Sequence, residues 1–359
     1  MKKTVLGLAT TAALLISGSS LAATEFNVVH LTSPDSYNHQ SLLVFKNHLE
    51  TRSNGELKVK IYGSGQLCGS GKECIAGVQA GMFDYFPTTV SEVAYYWKPA
   101  ESFDLPYLLP NDRVAECVYG NDEFISDVRS NVLKKAPNVR LMMVANSGGW
   151  RNFATTEKAI QTPADIEGMK IRTVPAKVQQ DLVKQLDASP TPIAWPEVYT
   201  ALSTGVVEGT KNGIVDIIQS RFHESLDYLT LDGHAYMGGA WMMSDMKFQS
   251  LSPELKRVVL DAVEAQQQYL MSYPKHNEYA SYEAFKKANG KIYNPTVAEK
   301  EAFKKATQPV VDNWASNANA EGKEWLDRFQ TEIATCETKN QCIVQSVDEV
   351  RKSSGLDWY

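Results

Sequence analysis

Arg172 has the most telling chemical setting in this 359-residue chain. It ends the stretch Thr162-Pro-Ala-Asp-Ile-Glu-Gly-Met-Lys-Ile-Arg172. Thr162 has an N-cap side chain, Pro163 suits the first helical position, and Gly168 can close a short helix. Met169 to Thr173 then reads as a strand, with Ile171 and Val174 flanking the arginine. A guanidinium carried into the interior needs an anion, and its planar fork matches a carboxylate or sulfonate through two parallel hydrogen bonds. The pattern alone is compatible with an internal ion pair to Asp or Glu and with a bound anion.

Other candidate chemistry fails on spacing. Gly69-Ser-Gly-Lys72 looks like the end of a phosphate loop, but Gln66 stands where the first glycine is required and Glu73 where Ser or Thr should follow Lys72. The six histidines, His30, His39, His48, His223, His234 and His276, are scattered and form no HExxH. No GxSxG elbow occurs, and no carboxylate pair stands out for acid–base work. We therefore expect no catalytic residue, no metal and no cofactor, and read the chain as a binding protein.

Residues 1–23 read as a signal peptide. Lys2 and Lys3 form a basic start, Val5 to Ile16 an apolar stretch, and Leu21-Ala22-Ala23 a cleavage region, with cleavage after Ala22 or Ala23. The apolar run is shorter than the roughly 20 residues a membrane span needs, and no cysteine at the cleavage point offers a lipid anchor. The expected location is the periplasm, without stable membrane insertion. A net charge of −6 argues against nucleic acid and anionic membrane as partners. The oxidising compartment permits disulfides among the five cysteines, Cys68, Cys74, Cys117, Cys336 and Cys342. A local bridge between Cys336 and Cys342 is favoured by the polar loop between them. Cys68 can pair with Cys74 or with Cys117, and one cysteine is left over.

Strands alternate with helices along the chain. Phe26 to Leu31 and Leu57 to Ile61 read as strands, and Leu42, Phe45 and Leu49 as the buried face of a helix. A helix through Ile75 and Val78 follows the glycine-rich loop, then a strand over Met82 to Phe86. Further strands are expected over Leu141 to Ala145 and Met169 to Thr173, with a turn-strand unit over Gly205 to Asn212. Helices are expected over Lys177 to Leu186 and Pro196 to Ser203, from Ser252 through Tyr269, and along most of the tail. This is the pattern of an α/β protein with a mostly parallel sheet. The absence of a flexible linker predicts that the chain crosses between two lobes more than once.

Several stretches resemble the solute-binding proteins of tripartite ATP-independent periplasmic (TRAP) transporters. These are Gly149-Trp-Arg-Asn, Thr162 to Arg172, Ala188-Ser-Pro-Thr-Pro, Trp195-Pro-Glu-Val-Tyr-Thr-Ala-Leu, Gly205-Val-Val-Glu-Gly with Asn212, and Tyr228-Leu-Thr-Leu-Asp-Gly-His234. Weaker likeness covers Gly55 to Gly81 and Leu105-Pro-Tyr107. The resemblance implies a two-lobed periplasmic solute-binding fold with a ligand cleft between the lobes and multiple chain crossovers. It places the first lobe at 24–149 plus about 238–277, and the second at 150–237 plus about 278–359 with the C-terminal helices. It implies that Arg172 forms a salt bridge with a ligand carboxylate, that Arg151 is the second arginine, and that Asn212 bonds the same group. It sets Trp195 at the cleft, where it stacks on or bounds the ligand, and Trp150 beside Arg151 as a further hint of a compact pocket. First-lobe and neighbouring contacts are expected from Tyr37, Thr89 and Tyr236. One departure is Lys211, which replaces an acid next to Asn212 and either faces solvent or adds charge to the site. The implied partners are a small organic anion and the membrane permease subunits. Rival readings are a sensor subunit, the binding protein of an ATP-driven importer, and an enzyme acting on an organic acid. Dicarboxylates, keto acids, hydroxy acids, sugar acids and sulfonates all satisfy the arginine.

Overall fold

The computed structural model describes residues 23–354, with side-chain surroundings through residue 340. The signal peptide and the side chain of Cys342 lie outside the described residues.

Local signals start most elements where the sequence puts them. Ser36 accepts from the His39 N–H and opens α1 (Tyr37–Arg52), whose Leu42, Phe45 and Leu49 are buried. It lies between β1 (Thr24–Val29) and β2 (Leu57–Tyr62). In β2, Leu57 and Val59 are buried while Lys58 and Lys60 are exposed, the period-two alternation of a half-covered strand. Ser70 caps α2 (Gly71–Gln79), which leads to β3 (Tyr85–Thr89) and the single turn α3 (Val90–Val93). After the 3-10 segment Lys98–Asp104 come α4 (Asp112–Tyr119) and α5 (Asp122–Lys135).

Two 17-residue strands dominate the middle of the chain, β4 (Val139–Thr155) and β8 (Tyr228–Ser244). Between them lie β5 (Lys170–Thr173), α6 (Lys177–Gln185), β6 (Ser189–Pro192), α7 (Val198–Ser203), β7 (Gly209–Asn212) and α8 (Ile214–Gln219). Where a short helix capped by Thr162 is expected, the Thr162 N–H and hydroxyl donate to Asp165 Oδ2 at 2.7 and 2.9 Å, around a 3-10 turn over Pro163–Ile166 rather than an α-helix. The chain ends in α9 (Asp245–Gln249), α10 (Pro253–Lys287), β9 (Lys291–Tyr293), α11 (Val297–Asn317) and α12 (Ala320–Ser354). No described helix is long and apolar enough to cross a membrane.

Among the described residues the strands form one mixed sheet in the order β2-β1-β3-β8-β4-β7-β5-β6, with β9 beside β8. The flanks are parallel, while β4 and β8 are antiparallel to each other and join the two halves. The fold is thus α/β and two-lobed. Its lobes share continuous strands, because β4 and β8 run from one half into the other. The ladder between them is interrupted at Asn146/Trp150. There Asn146 Oδ1 accepts from the Gly148 and Gly149 N–H groups, 3.0 and 2.8 Å away, and both glycines have positive φ, 111° and 81°. The expected strand over Leu141 to Ala145 is the start of this much longer element.

One expectation is corrected. Cys336 bonds to Cys117, not to Cys342, while Cys68 pairs with Cys74. Positions 336 and 342 both lie in α12, and six residues of helix separate their backbones by about 9 Å, beyond disulfide reach. The two C-terminal helices pack on different parts of the molecule. α12 packs on α4 and on Lys98–Asp104. Trp325, Phe329 and Ile333 recur every four residues on its buried stripe. Trp325 stacks on Phe124 at 4.9 Å, and Phe329 meets Phe103 edge-on at 5.0 Å. α11, by contrast, packs on α6, with Phe303 in the cluster around Ile171 and Phe153.

Candidate ligand-binding site

Between the two halves lies a cavity of about 350 Å³, the size of a small-ligand pocket. Strand alternation delivers its second-half wall. β5 carries Arg172, β4 carries Arg151 just past the glycine bulge, and β7 ends at Asn212, all lining the cavity and each about 2 % exposed. The Arg172 Nε and Nη2 donate to the Ile193 carbonyl at 3.1 and 2.8 Å, which fixes the fork while leaving Nη1 uncommitted. Its guanidinium lies over the Trp195 ring, 5.6 Å from the centroid. Arg151 Nη1 donates to the Lys211 carbonyl at 3.2 Å, and its Nε has no partner. Burial, then the neighbouring Arg151, lowers Arg172 to about 9, with Glu92 and Asp216 pulling the other way. It is still charged at neutral pH. Among the described residues, no carboxylate comes within ion-pair distance of either arginine.

Asn212 Oδ1 accepts from Thr210 Oγ1 at 2.7 Å. Asp216, on α8, lines the cavity beside it. Burial raises the Asp216 carboxyl to about 7, and Tyr37, Arg151, Asn212 and Arg172 restrain that rise. Gly148 is needed here, since a Cβ on it would stand 2.7 Å from Asp216 Oδ2. Tyr37, at the start of α1, lines the cavity with its hydroxyl 3.4 Å from Ser147 Oγ. Thr89 also lines it, and its buried Oγ1 has no partner.

Six of the eight residues singled out in the sequence therefore share this cavity: Arg172, Arg151, Asn212, Trp195, Tyr37 and Thr89. Trp150 and Tyr236 do not line it. They are register partners on β4 and β8 and meet edge-on at 5.2 Å. Trp150 Nε1 donates to Asp112 at 2.5 Å, and Tyr236 packs against Tyr119 in the core. Trp150 precedes Arg151 on a strand, so it faces the other way. Lys211 neither faces solvent nor lines the cavity. It is buried behind the sheet and donates to Gln179. Burial first, then Arg151, lowers its pKa well below the usual value, against the pull of Asp104 and Asp232.

Sequence pattern did not point to Glu92, Asp216, Ser147 or His30, all at the cavity. Glu92 leads into the aromatic run Tyr95-Tyr96-Trp97. Of that run Trp97 is core, while Tyr95 lines the cavity and donates its hydroxyl across it to the Pro175 carbonyl. Asp216 is four residues after Asn212, a spacing that could have flagged it. His30 bonds His39 at 2.9 Å. Burial, then the facing His39, holds His30 down at about 4, so His30 is uncharged at neutral pH.

A model of the bacterial extracellular solute-binding protein family 7 (DctP) matches residues 28–317. The ectoine-binding periplasmic protein TeaA of Halomonas elongata is 24 % identical over 299 residues, covering 83 % of this chain and 86 % of that protein. The sialic acid-binding periplasmic protein SiaP of Vibrio cholerae is 28 % identical over 296 residues, covering 82 % and 90 %. Among solved structures, the sugar acid binding protein DctPAm of Advenella mimigardefordensis, in complex with galactonate, superposes with a TM-score of 0.82 at 24 % identity, covering 88 % of this chain and 99 % of that one. A TRAP periplasmic solute-binding protein of Shewanella oneidensis with bound succinate gives 0.79 at 19 % identity, covering 86 % and 100 %. At these identities the structures establish a common fold.

Proposed function

This chain belongs to the bacterial extracellular solute-binding protein family 7, the TRAP solute-binding proteins, and from that premise we propose that it captures a small organic acid in the periplasm and delivers it to membrane permease subunits. One observation carries the reading: two buried guanidiniums face one cavity, and among the described residues no carboxylate is paired to either. An unpaired buried charge is costly, and an internal ion pair, the alternative for Arg172, is not formed. A ligand carboxylate on Arg172 Nη1, Arg151 Nε and the Asn212 amide relieves that cost. Ligands of relatives support the class, from galactonate and succinate to sialic acid.

Capture needs no chemistry. The first lobe takes 24–149 plus about 238–277 and the helix α12, and the second takes 150–237 plus the chain through α11. The lobes close on the ligand about the bulge in β4, and the closed form is what the permease reads. Residues 1–23 direct export.

The test is thermal unfolding of refolded protein, stripped of carried ligand, against small organic acids and sulfonates. A ligand at 100 times its dissociation constant adds about 2.7 kcal/mol, a clear rise in melting temperature. Stabilisation that vanishes in Arg172→Ala is the expected result. No response to any acid, or a response that survives loss of Arg172, rejects the site.

A further inference from the structure

The glycine-rich stretch Gly69–Lys72, which fails as a phosphate loop, has a structural use at the other wall of the cavity. Glu92, on α3, accepts from the Thr88 hydroxyl through Oε2. Its carboxylate rests against the backbone of Gly71, the first residue of α2. A Cβ on Gly71 would stand 1.8 Å from Glu92 Oε2, so only glycine leaves the notch that the carboxylate fills. Both residues line the cavity. No described lysine or arginine pairs with Glu92 within 4.0 Å, and its Oε1 has no hydrogen-bond partner among the described residues. Burial raises its carboxyl, and Arg172 and Arg151 act on it from across the cavity without touching it. Beside it the buried Thr89 hydroxyl is also unpartnered. The cavity thus has Arg151 and Arg172 at one wall and, at the other, Glu92 with one carboxylate oxygen unpartnered.

Resting on the carboxylate capture proposed above, we propose that the ligand is a monocarboxylate whose far end carries hydrogen-bond donors, an ammonium or hydroxyls, that Glu92 receives. A second carboxylate at that end meets a like charge in a poorly solvated space. An apolar end leaves Glu92 desolvated without a partner, which is how a polar site rejects an analogue lacking the matching group. A donor end relieves both costs. The remaining cation at this wall, Lys72, has its amine over the Tyr95 ring, 5.9 Å from the centroid.

Calorimetry on the stripped protein decides it, with matched ligands of four, five and six carbons: the dicarboxylates succinate, glutarate and adipate, the ω-amino acids of the same lengths, and the corresponding aldonates. At one length, the amino acid or the aldonate should bind at least about tenfold tighter than the dicarboxylate, and which of the two wins identifies the donor. Glu92→Gln should bring that ratio below about threefold. Thr88→Val, which removes a donor from the carboxylate, should keep or widen the ratio and so separates the loss of the Glu92 charge from a general disturbance of this wall. A dicarboxylate that binds as tightly as its partners, or a ratio untouched by Glu92→Gln, overturns the proposal. If selectivity fails while Arg172→Ala still abolishes binding, only the assignment of Glu92 falls. If no acid binds, the carboxylate reading falls and takes this one with it.

Discussion

Asn212 and Lys211 are adjacent on β7, yet they face different environments. On the front, Asn212 joins Arg151 and Arg172 at the cavity, where neither guanidinium has a carboxylate within ion-pair distance among the described residues. On the back, Lys211 is just as buried, but Gln179 accepts a hydrogen bond from it and Asp104 and Asp232 lie close enough to favour its charge. Burial of a cation therefore does not by itself mark a site. A site arises where the buried donors have been given no partner. The two faces are linked, because the Lys211 carbonyl holds Arg151 in place. This explains how a lysine can replace an acid beside the amide without entering the pocket.

Removing one cation from each face puts the contrast to its most direct test. Arg172→Ala should weaken binding of a preferred acid by at least about 100-fold, the loss expected for a desolvated, hydrogen-bonded charge pair. Lys211→Met should change it by less than about threefold, since the backbone carbonyl that positions Arg151 is retained and a buried charge is often replaced by an apolar group without loss. Titration calorimetry on both variants reads the difference. A comparable loss in Lys211→Met would make the back face part of the site.

A smaller effect comes from pH. The Asp216 carboxyl, raised to about 7 by burial, faces the same guanidiniums as the ligand. A bound carboxylate competes for those charges and raises it further, so binding takes up a proton. Affinity should therefore tighten as pH falls from 8 toward 7, by up to about tenfold per unit, and level off below 7, where Asp216 is protonated in the free protein. Asp216→Asn should flatten the profile, whereas Lys211→Met should leave it. A flat wild-type profile between pH 6 and 8 would place Asp216 outside the ligand's field.

The smallest effect is expected at Trp195. Its ring holds the Arg172 guanidinium from one side, a contact worth about 1 kcal/mol at a half-buried ring. Trp195→Leu should weaken binding roughly fivefold and Trp195→Phe less. No change in Trp195→Leu would make the tryptophan a wall rather than a support for the arginine.

Parts of this arrangement are legible in local pattern. The turn opened by Thr162 and Pro163, its end at Gly168 and the strand after it carry Arg172 inward using contacts a few residues apart. Family resemblance adds Arg151, Asn212 and Trp195. Trp150 stands next to Arg151 in the chain, but on a strand adjacency means the opposite face. Glu92 carries no local signal, because the notch it fills is made by Gly71, 21 residues earlier, and nothing near Glu92 in the chain announces it. The long strand β8 is hidden from pattern reading because it is buried on both faces and shows no alternation.

Chain-local chemistry suffices for where helices begin and which of their faces are apolar, as Ser36, Ser70 and Ser252 show by capping their helices. It also suffices to send an arginine into the interior on β5. Three-dimensional folding alone settles that this arginine meets no acid, that Lys211 turns away from the cavity while Asn212 turns toward it, and that Cys117 bonds Cys336 across 219 residues. Caps and periodicity are set by neighbours within a few residues. Pairing, charge balance and the side of a sheet that becomes a cavity depend on segments that only folding brings together.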